Sequence, residues 1–204
     1  MLRNVGSDEA RTPRLRPLDP DALLALRERA KGLPEPLAAL ALEVDIAEDD
    51  GDATGARKRL FELAVGVPRY AVSVGLAAAT EAFGEGASAP APLADALRKA
   101  ARLTDGKWFE LVRLLGAALA KPRPELARAL AFGAHASGGA LVSARNAFVH
   151  GGASGDDALE RATAVLDAAS DLCAMPLFAI VGGATEARSG VPRRRGVWKK
   201  VPGE

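Results

Sequence analysis

Cysteine is almost missing from this chain. Cys173 stands alone, so no intramolecular disulfide can staple the fold, and a reducing compartment is expected. Aromatic residues make up 4% and β-branched residues are few. The core must therefore be built from Ala, Leu and Val, a mixture that favours close-packed helices over a sheet. There is no excess of one charge either, with 27 basic residues against 26 acidic ones. Proteins that coat nucleic acid are far more basic, so any RNA contact must be a local patch. No apolar run reaches the roughly 18 to 20 residues that cross a bilayer, and Met1–Val5 lacks the apolar core of a signal peptide. The cytoplasm is the expected location, with no membrane partner. Histidine is scarce as well: His135 and His150 are the only two, and neither has a carboxylate at ligand spacing. Walker-type and dinucleotide fingerprints are missing. Gly151-Gly152-Ala153-Ser154-Gly155 follows a helix, whereas a phosphate cradle would follow a strand. No metal or cofactor is expected.

What is present is a globular composition, 49% apolar over 204 residues, enough for a substantial core. Residues 1–18, Arg-rich with Pro13 and Pro17, read as a loose leader. Asp19-Pro20 is a helix start, with a capping carboxylate and a proline where no N–H is needed, and Gly32 closes that helix. Pro34 opens a second with Leu37, Leu40, Val44 and Ala47 on one stripe, ended by a solvated acidic turn at residues 48–52. Residues 53–83 are periodic, but Gly66 and Pro68 interrupt them, which predicts either two consecutive helices or one kinked helix. Residues 84–92 form a loop. Leu93, Leu97 and Ala100 mark another helix, closed near Thr104-Asp105-Gly106. Trp108 through Leu119 mark the next, stopped at Lys121-Pro122. A helix from Pro124 is weakened by Gly133, Gly138 and Gly139, then resumes through Leu141 and Phe148 to halt at Gly151-Gly152. Asp156 or Asp157 caps a last helix with Leu159, Ala162, Leu166, Ala169 and Cys173 on a seam. After Pro176, residues 177–181 and 196–201 read as two short strands around a polar loop at 184–195. A lone hairpin is marginal in water, so either it packs on the helices or the natural chain continues. The expected organisation is a leader at 1–18, a helical segment at 19–84, a helical bundle at 91–175 and a strand-like basic tail at 176–204. The fold class is mainly α, a multi-helix bundle with an additional N-terminal helical segment and a short C-terminal β-hairpin.

The stretch that carries chemistry is Leu141-Val142-Ser143-Ala144-Arg145-Asn146-Ala147-Phe148-Val149-His150-Gly151-Gly152. It sets a cation, an amide and an imidazole in the last turns of a helix. Asn146 and His150, four apart, share a face, where the amide can orient the ring. Arg145 lies five residues from His150, about 140° around an ideal helix. The two converge only if the helix frays or the arginine swings across. Imidazole moves protons near neutral pH, and guanidinium matches phosphate oxygens. The pair suits metal-free cleavage of an RNA phosphodiester by its own 2′-hydroxyl, with the cation stabilising the developing charge.

Arg145-Asn146-x-x-x-His150, at the end of a helix in an Ala/Leu-rich bundle, resembles the signature of the HEPN superfamily: Arg, usually a polar residue, then His after a gap of four to six. The gap here is four and the polar residue is Asn146. The resemblance covers mainly residues 91–175. It implies a bundle of four or five helices that dimerises with the motif helices facing each other, and a composite RNA-cleaving site at that interface. Its catalytic set would be Arg145 for the phosphate, Asn146 to orient the site and His150 as acid–base. Members often serve in bacterial immunity, toxin–antitoxin pairs and stress responses, so a homodimer, RNA, and a regulatory protein or antitoxin are the expected partners.

Cations and histidine near a helix C-terminus suit the macrodipole, and glycine caps it. Many HEPN-like domains keep the motif as architecture, for dimerisation or nucleotide sensing. The alternative is thus a non-catalytic sensor or dimerisation module of a larger signalling or defence system. Among the other candidates, Cys173 is expected in the core and His135 in a structural role. Lys107, Arg113, Arg123 and Arg128 are expected on solvated faces, although they could rim an RNA groove. Trp108 is expected in the core, and Arg193-Arg194-Arg195 in a solvated turn.

Overall fold

The computed structural model describes residues 15, 17–84, 89–99, 104–135, 137–151 and 153–175, plus the backbone of four short strands in the tail. The leader up to residue 14, residues 85–88 of the 84–92 loop, and Arg195 lie outside the described residues. The described part is mainly helical. α1 (Pro20–Ala30) begins where Asp19 accepts from the Asp21 amide at 3.1 Å. α2 (Glu35–Asp49) follows Pro34, and the chain turns after it at Gly51, whose φ is 71°. The acidic turn has a further use, because Asp52 accepts from the Gly55 amide at 2.8 Å and caps the next helix.

That helix, α3 (Ala53–Phe83), is one continuous element with Pro68 inside it. Of the two arrangements expected, two consecutive helices are not formed. An interior proline costs about 3 kcal/mol, and packing offsets it here. Leu60, Leu63, Ala64, Val67 and Ala71 of α3 are all sealed from solvent. Gly66 is a notch rather than an interruption: a Cβ there would stand 2.6 Å from Leu40 Cδ1 of α2. By length and composition α3 is apolar enough to cross a bilayer, which corrects the expectation that no such stretch exists. Within the fold, 61% of its most apolar window is buried, and the helix packs against α2 and against the helices at Asp105–Leu119 and Ala158–Ala168.

α4 (Ala91–Arg98) begins two residues before the stripe that predicts it, because Pro90 and Pro92 suit a helix start. Thr104-Asp105-Gly106 does not close α4. It opens α5 (Asp105–Leu119), with Thr104 at the cap position and Asp105 in the first turn, where a carboxylate complements the helix dipole. α6 (Pro124–Ala129) passes into a 3-10 turn at Ala131–Ala134, and α7 (Ser137–Val149) carries the motif. Gly133 allows close approach, since a Cβ would lie 2.7 Å from the Arg113 amide nitrogen of α5. α8 (Ala158–Ala168) and α9 (Ser170–Ala174), with Ala169 between them, bury Leu159, Ala162, Val165, Leu166, Ala169 and Leu172. One apolar core takes residues from Leu18 to Leu172, so the helices of 19–84 and those of 91–175 share it.

In the tail, β1 (Phe178–Val181) pairs antiparallel with β4 (Val197–Lys200), with Phe178 opposite Lys200. The polar stretch between them is not irregular throughout: β2 (Thr185–Arg188) pairs antiparallel with β3 (Val191–Arg194). Arg193 and Arg194 therefore stand in a strand, not a turn.

Candidate functional site

α7 is held from both ends. Near its start, Gly138 is buried where a Cβ would meet the Phe109 ring of α5 at 2.7 Å, so α7 can only lie this close to α5 with glycine there. Leu141 is fully buried one turn on. Near its end, Phe148 packs on Phe61 of α3, with ring centroids 5.5 Å apart, a contact typical of aromatic pairs. The helical hydrogen bonding carries through His150, whose amide donates to Asn146 O at 3.0 Å. Gly151, at φ 73°, then turns the chain away. That is the left-handed ending glycine adopts without strain.

The loop beyond is pinned. Gly155, at φ 70°, leaves room for no side chain, since a Cβ would lie 2.8 Å from the Phe148 ring and 3.2 Å from Arg57 Cδ. Arg57 of α3 is 1% exposed. Its Nη1 donates to Ala53 O and its Nη2 to Asp156 Oδ1, each at 2.9 Å. The buried cation thus ties the segment after the motif to the longest helix. Arg57 and Asp156 also line a groove of about 650 Å³ that includes Pro17, Leu18 and Leu159. None of Arg145, Asn146 and His150 lines it.

Arg145 does swing across, but toward a neighbouring helix. Its Nη1 lies 3.1 Å from Asp105 Oδ2 at the start of α5. The other oxygen, Asp105 Oδ1, receives Arg69 Nη2 of α3 at 3.4 Å. One carboxylate, 11% exposed, therefore holds two guanidinium groups that are 37% and 55% exposed. Arg69 in turn lies over the Trp108 ring, with Cζ 5.8 Å from the centroid, a cation–π distance. Trp108 is half-buried against the core.

Asn146 and His150 are both exposed. Among the described residues, the amide–imidazole hydrogen bond that their spacing allows is not formed. Nor does any hydrogen bond or ion pair join Arg145 to His150 within one protomer. The helix does not fray before His150, so the angular separation of the two is kept. The arrangement thus presents a partly exposed cation, an exposed amide and an exposed imidazole around one helix end. A second such surface could complete it.

The remaining candidates divide. Lys107 pairs with Glu110, and Arg123 with Glu81 at 2.9 Å. Arg113 and Arg128 flank a shallow groove between α5 and α6. His135 is exposed after the 3-10 turn. Cys173 is half-buried, and burial pushes its thiol up to about 11 against the opposing pull of Arg29, so it is no ready nucleophile. Burial likewise pushes Tyr70 up to about 12, with Cys173 adding to the shift.

Asp105 and Arg69 are the site residues that the sequence does not single out. A signal existed for Asp105, since an acidic residue directly after Thr is a helix start as readily as a turn. Arg69 had none, being 76 residues from Arg145. In comparisons with known proteins, no family model, no curated protein and no solved structure matches this chain.

Proposed function

We propose that this protein is a metal-independent endoribonuclease of HEPN type, acting as a homodimer in bacterial defence or as a toxin in the cytoplasm. The observation that carries the reading is the exposure of His150 and Asn146 beside the partly exposed Arg145 at the rigid end of α7. A proton-transfer group and a phosphate-binding cation are there, open to substrate, on a helix anchored by Gly138, Leu141 and Phe148. Two-fold pairing of α7 ends would bring the imidazole of one protomer near the guanidinium of the other, which the separation along a single helix does not allow.

Arg145 binds the scissile phosphate. One His150 takes the proton of the 2′-hydroxyl as its oxygen attacks phosphorus, and the bond from phosphorus to the 5′-oxygen breaks. The departing oxygen receives a proton from the partner's His150, leaving a 2′,3′-cyclic phosphate and a 5′-hydroxyl. Asn146 orients the substrate or the ring. The guanidinium gains most as charge grows on the phosphoryl oxygens, which is where fixed cations contribute to rate.

The ion pair from Arg145 to Asp105 supports a second reading, a non-catalytic sensor or dimerisation module in which the motif is architecture. A cation that locks two helices of its own protomer together has a structural use already. The experiment that separates the two is incubation of structured RNAs with the purified protein in EDTA, beside the His150→Ala variant. The nuclease cuts and the variant does not. A folded protein that leaves a broad RNA panel intact favours the module.

A further inference from the structure

We infer that Arg69 is a second phosphate-binding residue, and that Asp105 is the positioning residue that sets it beside Arg145 to grip a single-stranded RNA backbone. The inference rests on the RNA reading above and extends the site from α7 onto α3. Three observations carry it. First, the two guanidinium groups come from helices far apart in sequence and converge on the two oxygens of one carboxylate, at 3.1 and 3.4 Å. Second, Asp105 neutralises only one of the two cations. The cluster keeps a local positive charge in a chain whose charges otherwise nearly cancel, the local patch that RNA binding by such a chain requires.

Third, Arg69 is more than half exposed, and its Cζ lies 5.8 Å from the Trp108 ring centroid. A guanidinium has five donors in a rigid fork, and the ion pair to Asp105 engages one nitrogen of each arginine. Donors are left over on a partly exposed group already held by Asp105 and Trp108, so little conformational entropy is lost when a phosphate docks. The ligand class is the ribose-phosphate backbone of a single strand, with its scissile phosphate at Arg145 and a neighbouring one at Arg69. Backbone contacts of this kind hold register without reading bases.

The test titrates the full-length protein into a fluorescent 2′-O-methyl RNA oligonucleotide, which cannot be cut by its own 2′-oxygen, across a series of salt concentrations. Loss of one phosphate contact on a single strand lowers the slope of log K against log salt by about 0.7. Arg69→Gln is expected to show that drop while still folding with a cooperative melt, and Arg69→Lys keeps the parent slope. Asp105→Asn retains both cations and is expected to weaken binding several-fold at an unchanged slope. As a measurement independent of the variants, saturating oligonucleotide is expected to protect Arg69 of the parent from phenylglyoxal. A parent slope in Arg69→Gln, absence of protection, or no binding by the parent overturns the assignment. The nuclease reading fails separately: a slope change with no cleavage of ordinary RNA leaves Arg69 in place and removes the enzyme. Cleavage lost in His150→Ala with no slope change in Arg69→Gln does the reverse.

Discussion

Arg145, the cation of the motif helix, is ion-paired at 3.1 Å to Asp105, the first residue of α5. The pair crosses forty residues of sequence and joins two helices that otherwise meet through Phe109 and Gly138. It fixes where the guanidinium sits, and it also gives that guanidinium a purely structural use.

A double-mutant cycle measures how much of that use is stability. Asp105→Asn and Arg145→Gln, singly and together, are expected to show a coupling of about 1 kcal/mol in urea melts, as for other partly exposed pairs. Coupling near zero would mean that the pair is formed at no advantage to the fold, and the architectural reading would lose its main support.

Two glycines near the motif share a left-handed backbone and differ in their surroundings. Gly151 has nothing within 4 Å of where a Cβ would stand, whereas at Gly155 the Phe148 ring lies 2.8 Å away. Gly151→Ala should therefore cost only the conformational strain of about 1–2 kcal/mol. Gly155→Ala adds overpacking, of order 1–3 kcal/mol more. Thermal or urea melts of the two variants compare them directly, and equal losses would show that the loop does not pack as described.

Arg57 gives a larger effect. It is sealed from water, and Asp156 supplies the carboxylate that its Nη2 meets. Asp156→Ala should destabilise the protein by roughly 2 kcal/mol, since a buried cation loses a charged acceptor. Under the proposed RNA reading, the same variant should leave the salt slope with the 2′-O-methyl oligonucleotide unchanged, because Asp156 is not part of the Arg145 cluster.

How far the sequence foretells this molecule depends on the range of the cause. Local causes are legible. Asp19-Pro20 starts α1, Pro34 precedes α2, and Gly151 ends α7, because each acts through its own backbone. Close approaches between helices are not. Gly66, Gly133 and Gly138 look like helix weakeners in one dimension, yet each makes room for a neighbour in three. Pro68 misleads in the same way, its local penalty being outweighed by burial that no window of sequence displays. At the candidate site, spacing alone sets Arg145 away from His150 around the helix, and the structure keeps that separation. The Arg145 partner Asp105 is hidden, because Thr104-Asp105-Gly106 reads as a stop where it serves as a start.

Burial of Cys173 and Tyr70 predicts an alkaline weakness. Both groups lose protons less readily in the folded protein, up to about 11 and about 12. Above the ordinary thiol range the unfolded chain therefore binds fewer protons than the native one, and stability falls as pH rises toward those values. Urea midpoints should drop through this window, and Cys173→Ala should flatten the lower part of the fall. Alkylation of the native thiol by iodoacetamide should be slow at neutral pH and rise only toward pH 11. Fast reaction at neutral pH would contradict the burial.

The most direct measurement incubates RNA with the parent and with His150→Ala in EDTA and reads the ends of any fragments by mass spectrometry. Transfer to the neighbouring 2′-oxygen predicts a 2′,3′-cyclic phosphate on one fragment and a 5′-hydroxyl on the other, both missing with the variant. Fragments carrying 5′-phosphates, or the same fragments from His150→Ala, would contradict it.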